Sequence, residues 1–408
     1  MAFIKESNVN ILDIFREKDL VKICAPMVRY SKLQFRNLVK LYNCDLNFTP
    51  MILADSFCQS EKARTNEFTT NFVDTPLVIQ FAANTVHEFV GAAHLASPYC
   101  NGVDLNCGCP QRWAREQELG CEMLKNPQLV YDMVRQCRNR ISKPFTVSVK
   151  IRILNEDNKT VELCKQLEKC DVSFLTLHGR TSTQIVGEVN RDALKAVSEN
   201  CDIPIIANGG VTNLNECFEL KDYTGCKGIM VANGILTNPT LFTGSSITTL
   251  DCVQNWLNIC YNSTLTQENY EKETNNPTNL IKEKPYNLSF QVFHHHLVFM
   301  LEKVLPRRKR QIFNSLKTFS SVLQFLEDYF TIRPHLFEPG VFLKYANFNL
   351  DYTKRESVYQ DLKPIIEDFK ESFQVYNADN RDGKYFCSKI TSDNNDSCDW
   401  SNLFIENG

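Results

Sequence analysis

The chain has 408 residues, of which 43% are hydrophobic and 23% are charged. This composition is typical of a globular protein, and the length allows two domains or one large domain with additions. The formal net charge of −3 excludes a protein that is basic overall. A local basic face could still bind phosphates on such a chain.

The sequence has no feature that predicts membrane association or export. No apolar run reaches the roughly 18 residues that a membrane-spanning helix requires. The N-terminus mixes charged and apolar residues and lacks the apolar core of a secretory signal. We therefore expect an intracellular, monomeric protein without a membrane partner, located in the cytoplasm and, as an additional compartment, the nucleus.

The stretch DLNCGCPQRW, residues 104–113, places two cysteines one residue apart and a proline after the second. Such a pair could bind a soft metal, form a disulfide or present a reactive thiol. A structural zinc site usually needs four ligands in two close pairs. No C-x-x-C occurs among the 17 cysteines, so we expect no metal. In a reducing compartment most of these cysteines are expected to be free thiols that fill the core.

Eight short apolar runs follow one another along the first 234 residues. Amphipathic segments such as SKLQFRNLVKLYN and PQLVYDMVRQCRNRI separate most of them. Apolar strands that alternate with helices predict a parallel sheet covered on both faces. Eight units favour a (β/α)8 TIM barrel, with an open doubly wound sheet as the alternative that periodicity leaves open. The predicted strands lie within residues 22–27, 45–50, 76–82, 102–108, 145–152, 174–180, 204–210 and 227–234.

Polar residues cluster where the predicted strands end, and in a barrel these ends form the active site. The last two strands end in glycines, in NGG (208–210) and NG (233–234). Such loops either make tight turns or bind a phosphate through backbone N–H groups, and the nearby cations favour a phosphate-bearing cofactor. No G-x-G-x-x-G follows the first strand, so a Rossmann nicotinamide site is not indicated. The strand ends carry Pro26, Met27, Gln80, Asn106 to Cys109, Lys150, Arg152, His178 to Arg180 and Asn208 to Gly210.

The C-terminal part of the chain predicts a small helical domain after the barrel. Two amphipathic segments flank the basic run PRRKR (306–310), and residues 285–331 carry six Lys/Arg against three Asp/Glu, an excess of +3. Contact with nucleic-acid phosphates is one interpretation of this run, and a solvated loop or a nuclear-import patch is the alternative. The predicted division is an N-terminal lead-in (1–20), the catalytic barrel (21–261), a flexible linker (262–287), the helical domain (288–337) and a polar, partly disordered extension (338–408).

Several motifs together resemble the tRNA-dihydrouridine synthase family, in the family's order and spacing over roughly residues 20–330. Two of them are similar to the eukaryotic branch that acts at tRNA positions 20a and 20b. The resemblance implies a TIM barrel, a tRNA substrate, an FMN cofactor, and NADPH or NADH as electron donor. The motifs are CAPMVRYSKLQFR and NCGCPQRWA, which carry the finer assignment, and PLVIQFAAN, VKIR, LHGRT and PIIANG.

The resemblance also implies roles for individual residues. Reducing the C5–C6 bond of uracil needs a hydride, which a flavin supplies, and a proton, which a thiol with a pKa near ~8.5 can give. Cys109 matches the family's proton donor, and Cys107 is expected to pack in its strand. The implied FMN-binding residues are Pro26, Met27, Val28, Gln80, Lys150, His178, Asn208, Gly209, Gly210, Ala232 and Asn233. The implied tRNA-side residues are Asn106, Arg152, Arg180, Arg307, Arg308, Lys309 and Arg310.

Three positions depart from the family pattern. Asn233 stands where an arginine is usual, Gly210 stands where an aspartate is common, and Cys121 replaces a small residue. The sequence therefore leaves two alternatives beside the tRNA-modifying reductase. One is an FMN barrel oxidoreductase of a small molecule, and the other is a catalytically impaired tRNA-binding protein.

Overall fold

A computed structural model describes residues 9–184, 186–263, 265–275, 285, 288–353 and 355–356. Its centre is a sheet of parallel strands. The strands are β1 (Val21–Cys24), β2 (Leu46–Phe48), β3 (Ile52–Leu53), β4 (Leu77–Ala82), β5 (Gly102–Cys107), β6 (Thr146–Arg152), β7 (Phe174–His178), β8 (Ile205–Asn208) and β9 (Gly228–Val231).

The sheet closes into a barrel. Strand β1 pairs with both β2 and β9, and β2 also pairs with β4, so the ring has no free edge. This closure confirms the predicted (β/α)8 barrel and excludes the open sheet. Each of the eight apolar runs overlaps one strand of the ring, and β1 begins one residue before its predicted run.

One barrel stave is interrupted. Strands β2 and β3 both pair with β4, through Asn47 opposite Leu77 and Ile52 opposite Phe81. Between these two pairings the interrupted stave advances by five residues and β4 by four. One extra residue on one side of a strand pair is a β-bulge. Pro50 lies in the interruption, where its missing N–H costs no ladder hydrogen bond. The sequence predicted a single strand here and missed β3.

Helices cover the outside of the barrel. Thr85, Asn190 and Asn213 each start an outer helix by accepting a hydrogen bond from the backbone N–H three residues on. The helices up to the end of the barrel are α1 (Ile11–Glu17), α2 (Leu33–Lys40), α3 (Ala54–Gln59), α4 (Glu61–Glu67), α5 (Val86–Ala96), α6 (Arg112–Glu116), α7 (Pro127–Arg140), α8 (Asp157–Glu168), α9 (Arg191–Asn200), α10 (Leu214–Thr224), α11 (Asn233–Thr237) and α12 (Leu250–Asn262). Short 3-10 turns lie at Ser97–Tyr99, Gly120–Lys125 and Leu241–Thr243.

A group of helices follows the barrel and packs on it. These helices are α13 (Gln267–Thr274), α14 (Phe290–Leu301), α15 (Arg307–Asn314), α16 (Phe319–Phe330) and α17 (Pro339–Tyr345). Helix α14 carries the His294–His296 run, all of it buried. The ring of His296 lies between Phe35 of the barrel, at 4.6 Å between centroids, and Trp256, at 4.5 Å. The histidine run therefore packs helix against barrel. Among the described residues no helix is long and apolar enough to cross a membrane.

Part of the segment predicted as a flexible linker is helix α13, which corrects that expectation for Gln267–Thr274. The helix is fixed by Tyr270, whose ring stacks on Phe342 at 3.9 Å and whose hydroxyl donates to the Phe337 carbonyl oxygen. Its partner Phe342 lies in α17, within the segment predicted as a polar extension. Residues 357–408 of that extension lie outside the described residues. The predicted division into domains stays a prediction.

A buried ion pair joins helix α2 to the segment that leads into strand β4. Arg36 in α2 donates from Nη2 to Asp74 Oδ2 at 2.7 Å and from Nε to Oδ1 at 3.1 Å. Its Nη1 also donates to the Ser31 carbonyl oxygen at 2.7 Å. The side chains of the pair are only 2% and 0% exposed. A charge pair this deep is stable only while both partners are present.

Removing one partner should therefore be costly. We expect Asp74→Ala to lower the free energy of unfolding by about 3–5 kcal/mol, because it leaves the guanidinium buried without its counter-charge. The matched control is Asp13→Ala, which breaks the exposed Arg16–Asp13 pair and should cost less than about 1 kcal/mol. Urea unfolding followed by circular dichroism measures both. A loss below about 1 kcal/mol for Asp74→Ala would contradict the assignment.

Candidate active site

The barrel brings the predicted strand-end residues to one rim. In register, Asn106 of β5 lies opposite Lys150 of β6, and Arg152 lies opposite His178 of β7. His178 in turn lies opposite Asn208 of β8. Residues in register on parallel strands share a face of the sheet. These side chains therefore surround one opening at the carboxyl ends of the strands.

The loop after β5 holds Cys109 at this opening. Asn106 Oδ1 accepts hydrogen bonds from the backbone N–H groups of Gly108, at 3.1 Å, and Cys109, at 3.0 Å. Gly120 packs against the same loop with φ of +64°, and a Cβ there would lie 2.5 Å from the Cys109 carbonyl oxygen, so this position requires glycine. Cys109 is partly exposed, whereas Cys107 is buried in the barrel wall. Only Cys109 of the C-x-C pair is presented for chemistry.

The thiol of Cys109 is kept in its protonated form. Burial raises the pKa of Cys109 above its ordinary value, while the nearby charges of Lys150 and Arg152 act in the opposite direction. Because burial disfavours the thiolate, the group carries a proton at neutral pH. Such a thiol is an acid that holds its proton until a reacting atom takes it.

The pKa values of two basic groups at the rim, Lys150 and His178, are shifted in the direction that favours the neutral form. Burial, and then the charge of Arg152, lower the pKa of Lys150 to about 8. Burial, and then the charges of Lys150 and Arg152, hold the pKa of His178 well below its ordinary value. At pH 7 the lysine is therefore predominantly charged and the imidazole is neutral.

Arg152 and Arg180 stiffen the loops around the opening. Arg152 donates from Nε to the Gly108 carbonyl oxygen at 3.0 Å, next to Cys109, and from Nη1 to the Thr181 carbonyl oxygen at 3.1 Å. Arg180 donates from Nη2 to the Gly187 carbonyl oxygen at 2.8 Å. Both guanidinium groups thus join loop backbones and also place positive charge at the rim.

The loop after β8 forms a cradle beside His178. Gly209 and Gly210 have φ of +115° and +77°, a region that favours glycine. A Cβ at Gly209 would lie 3.2 Å from both His178 Nε2 and Val189 Cγ2. The Nδ1 atom of His178 is buried without a hydrogen-bond partner among the described residues, although the backbone of Arg180 approaches the ring. A cavity of about 680 Å³ adjoins the loop, lined by both glycines, Arg180 and Val189.

The remaining predicted residues lie in three places. Pro26, Met27 and Val28 form the turn after β1, where Ser31 Oγ accepts from the Met27 N–H at 2.9 Å. Ala232 and Asn233 begin helix α11 directly after β9. The basic residues Arg307, Arg308, Lys309 and Arg310 lie in the first turn of α15, in the helical group and away from the strand ends.

Sequence reasoning missed one residue of the site, Asp104. It is fully buried in β5, and its oxygens accept hydrogen bonds from Gln80 Nε2 at 2.8 Å and Ser148 Oγ at 2.7 Å. The signal was available in the sequence, because Asp104 precedes Asn106 by two residues and strand alternation places both on one face. A carboxylate within an apolar strand requires such partners.

The fold and this rim combine a (β/α)8 barrel with polar strand-end residues and a partly exposed, protonated thiol at one opening. A sequence model described as "Dihydrouridine synthase (Dus)" matches residues 23–330. The chain therefore belongs to the dihydrouridine synthase family, as its motifs predicted.

Relatives with assigned names match most of the chain. A mouse protein named "tRNA-dihydrouridine(20a/20b) synthase [NAD(P)+]-like" is 44% identical over 327 residues, which is 80% of this chain and 94% of the relative. The human protein of the same name is 42% identical over 329 residues, 80% of this chain and 96% of the relative. In Schizosaccharomyces pombe, "tRNA-dihydrouridine(20a/20b) synthase [NAD(P)+]" is 37% identical over 80% of this chain and 92% of the relative.

The raised pKa of Cys109 predicts slow alkylation at neutral pH. The rate of iodoacetamide modification should rise with pH to a midpoint above that of an unstructured cysteine peptide, because only the thiolate reacts. Lys150→Met should move the midpoint further up, since the ammonium charge favours the thiolate. Lys165→Met, on the outer helix α8, is the charge-matched control and should leave it unchanged. Peptide mass spectrometry measures Cys109 specifically; a midpoint below that of the peptide would contradict the assignment.

Proposed function

We propose that this protein is a flavin-dependent tRNA-dihydrouridine synthase that reduces D-loop uridines 20a and 20b. The observation that carries the proposal is the protonated thiol of Cys109, held by Asn106 on the barrel rim beside Lys150. The names of the mouse, human and yeast relatives support the substrate and a nicotinamide electron donor, NADPH or NADH.

The rim fits an FMN cofactor. The positive-φ glycines of the Gly209–Gly210 loop leave space for a phosphate group, and the His178 Nε2 atom lies beside them, 3.2 Å from the place of a Gly209 Cβ. Lys150 and Gln80 would bind the polar edge of the isoalloxazine ring, with Met27 against its face. The bound flavin supplies the hydride. Asn208 contributes by holding β9, since its Nδ2 donates to the Met230 carbonyl oxygen at 2.9 Å.

Cys109 supplies the proton that completes the reduction. A hydride added to one carbon of the C5–C6 bond must be matched by a proton on the other. A thiol whose pKa is raised by burial retains that proton in the resting enzyme and releases it to the carbanion-like carbon that forms during the reaction. Arg152, bound to the Gly108 carbonyl oxygen, steadies the loop that carries the thiol.

The target uridine must flip out of its stack in the folded tRNA to reach the rim. Unstacking costs on the order of a few kcal/mol, and less in a loop than in a duplex. The exposed residues Arg307, Arg308 and Lys309 of α15 would repay part of this cost through phosphate contacts. Lys309 lies over the Tyr329 ring at 5.3 Å, and this contact helps to hold the cation on the exposed surface of the helical group.

In this proposal backbone N–H groups take the place of the side chains that are usual at the two phosphate-side departures, Gly210 and Asn233. Gly210 keeps the left-handed backbone of the cradle, and Asn233 is the first residue of α11, where backbone N–H groups point toward the rim end of β9. The chain thus retains backbone donors where a guanidinium is usual. The monomeric state and the cytoplasmic and nuclear location stay predictions.

The first test is formation of dihydrouridine. Purified protein with FMN and NADPH should convert unmodified tRNA, and nucleoside mass spectrometry measures the product. Cys109→Ala should lower the rate by about 10²–10⁴-fold, because the general acid is lost. Cys107→Ala, two residues away in the wall, is the matched control and should stay within about threefold of native. No product from folded native protein would contradict the reductase, and equal rates for Cys109→Ala would contradict the acid assignment alone.

The second test separates a tRNA substrate from a small molecule. Arg307→Gln, Arg308→Gln and Lys309→Gln combined should weaken tRNA binding and reduce the slope of log Kd against log salt by about 2–3, because each phosphate contact releases a counterion. Lys143→Gln, Lys165→Gln and Lys195→Gln combined make the same charge change on the barrel and should leave the slope unaltered. Filter binding over a salt series measures both. An unchanged slope in the α15 variant would contradict its role in RNA contact.

A further inference from the structure

A continuous chain of hydrogen bonds connects the barrel interior to the Cys109 loop. It begins at Asp104, whose Oδ2 accepts from Gln80 Nε2 at 2.8 Å. Gln80 Oε1 accepts from Asn106 Nδ2 at 2.9 Å. Asn106 Oδ1 then accepts from the backbone N–H groups of Gly108 and Cys109. Two strand residues, Gln80 and Asn106, therefore link one buried carboxylate to the loop that carries the thiol.

The order of donors and acceptors along this chain is fixed by its first member. An ionised carboxylate can only accept, so Gln80 must turn its NH2 group toward Asp104 and its oxygen toward Asn106. Asn106 must then present its NH2 group to Gln80 and its oxygen to the loop. If both amides were reversed, the NH2 group of Asn106 would face two backbone N–H donors. Without an acceptor-only group at position 104, only the two backbone N–H groups of the loop would constrain the amide orientations, and the chain would be held from one end instead of two.

Asp104 remains suited to this task at neutral pH. Burial raises its pKa to about 6, and the hydrogen bonds from Gln80 and Ser148 limit the rise. At pH 7 and above the group is therefore predominantly a carboxylate. Burying this charge is costly where an apolar residue would suffice for the strand. That cost points to a use other than packing.

We propose that Asp104 is a positioning residue, which sets the amide orientations of Gln80 and Asn106 and so holds the backbone of Cys109 in place for proton transfer. The inference rests on the proposed function, since it assigns the proton to Cys109. Asp104 makes no hydrogen bond to the thiol or its loop; it is linked to them by the two amides, and its charge also favours the charged form of Lys150.

Two variants test the polarity of the chain. Asp104→Asn keeps the shape but can donate, so the orientations of Gln80 and Asn106 are then constrained only from the loop end. The double variant Asp104→Asn with Gln80→Glu moves the acceptor-only group one step along the chain. The carboxylate introduced on β4 would accept from the amide introduced on β5 and from Asn106, and Asn106 would again offer its oxygen to the loop. Ser148→Ala is the control, because Asp104 keeps the oxygen that faces Gln80.

The readout is the alkylation rate of the Cys109 peptide at pH 8 in full-length protein without tRNA, with the Cys201 peptide as internal reference. We expect Asp104→Asn to raise the Cys109 rate about fivefold or more, because a loosened loop exposes the thiol, and to lower kcat for dihydrouridine formation by about 10–100-fold. The double variant should return the alkylation rate to within about twofold of native, and Ser148→Ala should not change it. Thermal unfolding verifies that each variant is folded.

The outcomes separate the two proposals. An alkylation rate in Asp104→Asn equal to native, or one in the double variant as high as in the single variant, would overturn the positioning role. Gln80 is also proposed to bind the cofactor, so its substitution affects kcat through flavin binding as well. Rescue by the double variant is therefore judged from the Cys109 alkylation rate, which does not require the flavin. If native protein makes no dihydrouridine while the alkylation pattern holds, the proposed function fails and the positioning of Cys109 stands.

Discussion

Parallel pairing around a closed ring is the constraint on which the rest of this structure depends. Because β1 pairs with β9 as well as β2, the carboxyl end of every barrel strand lies on the same rim. Residues that are more than 120 positions apart in sequence, such as Gln80 and Asn208, consequently serve one opening. Without closure the same side chains would be spread along the edge of an open sheet.

Closure also excludes water from the rim, and this desolvation shifts the pKa values of the ionisable side chains there. The same burial keeps the thiol of Cys109 protonated, moves the pKa of Lys150 to about 8 and holds His178 neutral. Each group is thereby shifted in the direction of its uncharged form. An opening that holds a protonated thiol, a lysine with a pKa of about 8 and a neutral imidazole suits a reaction in which charge develops only transiently.

Much of the fold and the rim could be predicted from the sequence. Apolar runs alternating with amphipathic helices identified all eight staves, because a strand covered on both faces must be apolar throughout. The rule that barrel sites lie at strand ends then selected Cys109, Lys150 and His178. Sequence periodicity could not show β3, whose two residues follow a proline-containing bulge.

Other features depended on contacts between distant segments. Helix α13 is polar along its length, and its place is decided by the stacking of Tyr270 on Phe342, 72 positions later. The role of Asp104 depends on the direction in which two amides face, which no residue pattern encodes by itself. Local propensity is a weak guide wherever tertiary contacts of this kind decide the outcome.

The return of the chain to the barrel after α17 has a consequence for how the molecule meets its substrate. Asn71 Nδ2 donates to the Tyr345 carbonyl oxygen at 2.8 Å, Arg355 donates to the His94 carbonyl oxygen at 2.8 Å, and Arg64 pairs with Glu356. The helical group is therefore anchored at both of its ends, by α12 where the chain leaves the barrel and by this strap where it comes back. A module tied at one end could swivel, whereas one tied at two ends is preorganised. If a folded RNA docks on this group, as proposed above, binding costs less conformational entropy, because the orientation of the helical group relative to the barrel rim is set before the encounter.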